Sequence, residues 1–247
     1  MSDGFRNQRA GGNLPDLGTS EDPLYKWVIL EFAVLIALNL LSFLIGDSNL
    51  GALKASQSQW WGAATSIGLY DSWESSIALF FFPFFWFALN ARVPTGVRRS
   101  RSRLLLIGPL SAAVLANYIW EISPHLFRYS SGVSGFDVAV GGIILVFSVV
   151  NLVSLLKPSS LLETPQLRPT DKRALRAFLL VVYTVLMALM IAVPVTLVLA
   201  ADPTINTQVH VDSFLLGIGM ATIFQGIVML RRLQRLGNRG VPKPGST

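Results

Sequence analysis

Two residues in this sequence have side chains and surroundings suited to acyl-transfer chemistry, Ser134 and His210. Ser134 sits in Gly132-Val133-Ser134-Gly135, at the start of an apolar stretch. Glycines on both sides of a serine permit close backbone approach and unusual dihedrals. A nucleophilic serine uses both, because its own N–H can help to bind an oxyanion. The same small residues also allow two membrane helices to pack tightly with no chemistry at all. His210, one of only two histidines, opens a second apolar stretch, and Ser213 and Gly217 follow it on the same helical face. Gly135, Ala139 and Gly142 form a matching stripe of small residues after Ser134. If the stripes pack together, the imidazole and the hydroxyl meet, which is the minimum for a histidine-activated serine nucleophile. An interfacial histidine satisfied by water is the other reading, and spacing alone does not choose between them.

Other polar residues in the apolar stretches are weaker candidates. Asp137 lies one turn after Ser134, where a carboxylate in lipid is costly and often functional. It is a possible orienting acid for His210, or a group hydrogen-bonded to a neighbouring helix. Asn39, Asn117, Asn151 and Gln225 are placed to hydrogen-bond between helices. His125, in an outer loop, is free to approach the site, but its spacing does not demand it. Two histidines without a carboxylate cluster argue against a metal site, and no cofactor is expected. Cysteine is absent, which excludes disulfides, thiolate catalysis and cysteine-ligated metals.

The elements that must position these residues are membrane helices. Of the 247 residues 52% are hydrophobic and 14% charged, against roughly 25% charged in soluble domains. Six apolar segments stand out, at 27–46, 75–93, 104–121, 134–156, 175–201 and 209–230. Each approaches the roughly 20 residues that cross a bilayer, and the second and third tolerate Pro83 and Pro109. The expected class is therefore an all-α polytopic membrane protein of six transmembrane helices. Residues 1–25 read as a flexible polar tail without a signal-peptide h-region, 26–231 as the membrane domain, and 232–247 as a basic tail.

Basic residues orient the chain. Arg92, Arg98, Arg99, Arg101 and Arg103 follow the second segment. Lys157, Arg168, Lys172, Arg173 and Arg176 follow the fourth, and Arg231, Arg232, Arg235, Arg239 and Lys243 follow the sixth. The alternate loops carry only Lys54 and Arg128. The positive-inside rule then puts both termini in the cytoplasm, and the starts of the second, fourth and sixth segments at one outer depth. The net charge of +6 is explained by this flanking pattern, so a nucleic-acid partner is not expected. The segment 47–74 carries Trp60, Trp61, Tyr70 and Trp73, which suits a stretch lying at headgroup level.

The Gly-x-Ser-Gly at 132–135, with His210, Ser213 and Gly217 opening a helix two further on, resembles the catalytic core of rhomboid-type intramembrane serine proteases. Residues 60–88 (WWGAATSIGLYDSWESSIALFFFPFFWFA) are similar to that family's first loop and second helix, and the likeness covers about 27–230. The resemblance implies a rhomboid-like bundle with Ser134 as nucleophile and His210 as general base. It further implies oxyanion support from the Ser134 backbone N–H with Gly132 and Gly135, and helix packing at Ser213, Gly217 and Gly142. Substrates would be transmembrane segments cleaved near their outer ends, and the lipid bilayer the constant partner.

The sequence departs from the family pattern where a histidine and, four residues later, an asparagine usually donate to the oxyanion. Those positions hold Ser75, whose hydroxyl can donate one hydrogen bond to the oxyanion, and Leu79, which donates nothing. The first-loop Trp-Arg pair is Trp61-Gly62, and the usual aromatic four residues after the serine is Val138. Two functions follow: an intramembrane serine endopeptidase, or a pseudoprotease that binds transmembrane helices without cutting them. A small transporter or channel is less favoured, since no inverted repeat is evident. A cysteine-free, single membrane domain suggests a prokaryotic plasma membrane.

Overall fold

The computed structural model describes residues 23–54, 61–69, 73–90, 93–122, 133–156, 169–200 and 207–239. Among them every regular element is helical: α1 (Pro23–Ile45), α2 (Gly62–Thr65), α3 (Trp73–Asn90), α4 (Thr95–Ile122), α5 (Ser134–Leu156), α6 (Pro169–Ala200) and α7 (Thr207–Arg239), with short 3-10 turns at Asp47–Leu53 and Ser66–Gly68. Five of these, α1, α4, α5, α6 and α7, contain stretches long and apolar enough to cross a membrane. The apolar part of α3, Ser75–Asn90, is shorter. In lipid only helices and closed barrels satisfy their own backbone, so the apolar runs of the sequence become these helices.

The boundaries differ from the expected segments, most at the starts of α4 and α6 and at the end of α7; α6 begins at Pro169, six residues before the expected 175. Four of the five arginines assigned to the loop after the second segment, Arg98, Arg99, Arg101 and Arg103, belong to α4, which starts at Thr95 behind Pro94, while Arg92 lies outside the described residues. Pro94 is fixed near helical φ and its carbonyl accepts from the N–H groups of Val97 and Arg98, and arginine propagates a helix well. The helix runs on through Pro109, which is buried with Gly108. At the other end of the chain, α7 continues through Arg239, past the expected tail boundary at 232.

α5 is the axis of the bundle, its first two-thirds buried almost without interruption, with α7, α6, α4 and α3 packed around it. Aromatic rings tie the layers. Phe32 of α1 meets Phe82 of α3 and Phe136 of α5 edge-on, with centroids 6.3 and 5.5 Å apart. Phe147 of α5 bridges Trp86 of α3 at 5.6 Å and Phe224 of α7 at 6.0 Å. α1 stops at Gly46, whose φ of 84° is open to glycine at little cost, and whose N–H donates to Ser42 O.

Buried amides fasten the segment between α1 and α3. Asn39 Nδ2 donates to Leu69 O at 3.1 Å, and Ser76 Oγ donates to Asn39 Oδ1 at 2.7 Å. Asn117 Nδ2 reaches Ala63 O and Ser66 Oγ at 3.3 and 3.2 Å. Trp61 closes the near side, its indole N–H donating to Ala52 O at 3.2 Å. Three of the four expected interhelical amides make such bonds, Asn39 and Asn117 here and Asn151 to Leu89 O of α3. Gln225 Nε2 finds no acceptor among the described residues.

Candidate active site

Ser134 is the first residue of α5 and His210 lies in the first turn of α7. His210 Nε2 and Ser134 Oγ are 2.5 Å apart. With the ring neutral and its proton on Nδ1, the serine hydroxyl donates to Nε2, the arrangement from which a base takes the proton. His210 is buried and Ser134 half-buried.

The approach of the two helices explains the contact. A Cβ placed on Gly217 would stand 2.3 Å from Ala139 O, and one on Gly142 would stand 2.5 Å from Phe214 O. The two backbones therefore touch without an intervening side chain, which only glycine permits at these positions. Nearer the rim, a Cβ on Gly135 would meet Ser213 Oγ at 3.3 Å, a tight contact rather than a collision. The stripe on α5 and the stripe on α7 are thus packed face to face, with Ser134 and His210 at the N-terminal end of both helices.

Helix geometry supplies a further element. The first hydrogen bond of α5 runs from Asp137 N–H to Val133 O. The amide N–H groups before it, Ser134 included, have no intrahelical acceptor, and they lie at the positive end of the helix dipole. Such donors are suited to an oxyanion formed at the serine. Asp137 is buried in the same turn, three residues after Ser134. Ser75 is buried near the start of α3, and Leu79, one turn on, is 0% exposed and part of the apolar core. Val138 is likewise buried. Gly132, Trp60 and His125 lie outside the described residues, and no cluster of metal-ligating side chains occurs among those described.

One polar centre escaped the sequence reading. Arg101 of α4 is only 3% exposed, and its Nη1 donates to Asn90 Oδ1 of α3 at 3.3 Å and Asn151 Oδ1 of α5 at 3.1 Å. Its guanidinium carbon lies 4.4 Å from the centre of the Phe147 ring, and Asn151 Nδ2 in turn donates to Leu89 O at 2.8 Å. The signal was present in the spacing: Arg101 heads the series Leu105, Gly108 and Ala112, which is the buried stripe of α4. From Ser134 to Asn151 α5 rises about 26 Å, so the two polar centres sit at opposite ends of the bundle.

No protein-family model, curated protein or solved structure matches the chain. Fold and geometry together define a helical membrane protein with a serine–histidine pair at one end of a close-packed helix couple.

Proposed function

We propose that the chain is an intramembrane serine endopeptidase of rhomboid type, cleaving transmembrane segments near their outer ends. The observation that carries this reading is the 2.5 Å contact between Ser134 Oγ and His210 Nε2 at the N-terminal ends of two helices. In the reaction Ser134 Oγ attacks the scissile carbonyl as His210 Nε2 takes its proton. The Ser134 backbone N–H, supported by Gly132, Gly135 and the Ser75 hydroxyl, stabilises the oxyanion. His210 then returns the proton to the leaving amine, and water hydrolyses the acyl-enzyme by the same route in reverse. The bundle crosses the membrane six times, counting α3, with both termini cytoplasmic, in a prokaryotic plasma membrane. The arginine-rich ends of α3/α4, α6 and α7 support that orientation.

A second reading, a pseudoprotease that holds transmembrane helices uncut, draws on one observation: fully buried, apolar Leu79 stands where the resemblance places a second oxyanion donor. Loss of one such donor costs about 2.7–4 kcal/mol of transition-state stabilisation. Reconstitution into liposomes with a panel of single-span substrates separates the two. Cleavage near the outer end that disappears in Ser134→Ala supports the protease. Stable capture of intact spans by both proteins supports the pseudoprotease.

A further inference from the structure

The end of the bundle remote from Ser134 carries a second constellation, formed by the first turns of α4. Arg98 is half-buried, and its guanidinium makes no hydrogen bond or ion pair with the described residues, although Nε is already shut off from water. One turn further, Arg101 is buried on the same face, with two amide oxygens on Nη1 and, among the described residues, no acceptor on Nε and no paired carboxylate. The backbone in front is open: Thr95 and Gly96 are exposed, and a Cβ on Gly96 would meet nothing within 4 Å. The start of a 28-residue helix adds the positive end of its dipole. Arg103, five residues after Arg98, is exposed on another face.

A guanidinium that is half sunk in a membrane protein at the end of the helices, with no acceptor among the described residues, is suited to a lipid phosphate. Arginine's planar fork matches two phosphate oxygens, and basic recesses between transmembrane helices are known places for anionic headgroups. We infer that the first turns of α4 form a phosphate site, with Arg98 as the bidentate contact and Arg101 as the buried charge behind it, and that its occupant is the headgroup of an anionic phospholipid. The inference does not depend on the protease reading.

The test follows thermal unfolding of the full-length protein in phosphatidylcholine micelles as dioleoylphosphatidylglycerol is titrated in, with inorganic phosphate as a separate arm. Phosphatidylglycerol raises the unfolding temperature saturably. Arg98→Gln needs on the order of tenfold more of it for half the effect, the loss of one charge-assisted pair. Arg103→Gln, the same charge removed from another face, stays within about twofold of the parent, well under the tenfold step that 1.4 kcal/mol makes. Should Arg98→Gln not fold in phosphatidylcholine alone, Arg98→Lys serves, keeping the charge but losing the fork and weakening the response several-fold. Equal losses in Arg98→Gln and Arg103→Gln would reduce the effect to diffuse attraction and overturn the site. So would no rise with phosphatidylglycerol. A full rise with inorganic phosphate alone overturns the lipid assignment.

Discussion

The two ends of α5 are joined to their neighbours by opposite means. At its N-terminal end, contact with α7 is made by the absence of side chains: Gly142 and Gly217 let backbone meet backbone, and Ser134 and His210 are carried together on that platform. At its C-terminal end, contact is made by long polar side chains, with Arg101 reaching from α4 to Asn90 of α3 and Asn151 of α5. The first junction fixes two helices at a distance set by van der Waals contact. The second fixes three helices by directed hydrogen bonds to a buried charge, which in lipid has no water to turn to. A reacting pair needs positional accuracy, and rigid backbone contact provides it more directly than flexible side chains do.

Substitutions at the two ends should therefore fail in different ways. Gly217→Ala drives a methyl into Ala139 O, so it costs stability at or above the top of the usual 1–3 kcal/mol range for overpacking, and it also separates the dyad. Unfolding in mixed micelles and serine reactivity should fall together. Asn151→Leu leaves Arg101 with one amide oxygen and costs about 1.5–3 kcal/mol, the worth of a hydrogen bond to a charged group. Here stability should drop while the reactivity of the folded fraction holds, because the lesion is about 26 Å from the serine. If that variant loses reactivity in proportion, the two ends are coupled and the contrast fails. Gly135→Ala meets Ser213 Oγ at 3.3 Å and Val209 Cγ1 and Ala113 Cβ at ordinary contact distances of 3.7 and 3.9 Å, so its cost should stay below about 1 kcal/mol, below the range for real overpacking. Ser75→Ala should leave stability nearly unchanged and slow cleavage several-fold; an unchanged rate would remove Ser75 from the oxyanion site.

The unequal legibility of the two ends follows from the same physics. Glycines and small residues at helical spacing announce a close approach, because they have few other uses in a membrane helix; Gly135, Ala139 and Gly142 could be matched to Ser213 and Gly217 from the sequence. Apolar runs marked where the helices lie for a similar reason. Arg101 was hidden because an arginine beside an apolar run has two destinations, the headgroups or the interior, and local sequence favours the first. Only the tertiary approach of Asn90 and Asn151 selects the second. The start of α4 at Thr95 was missed with it, since a cluster of arginines reads as loop until the helix is seen to continue through it. Asp137 marks another limit, for its burial was foreseeable but the side it faces depends on how α5 is rotated in the bundle.

The account turns on whether the hydroxyl at 134 is made nucleophilic by the imidazole at 210. Reaction of the folded protein in mixed micelles with a fluorophosphonate, followed by mapping of the adduct, measures that directly. The account predicts a single adduct on Ser134, absent in Ser134→Ala and formed on the order of 10²–10⁴-fold more slowly in His210→Ala, the usual contribution of a general base. Failure of the well-folded parent to react, or an adduct on Ser134 that forms equally fast without His210, would contradict it.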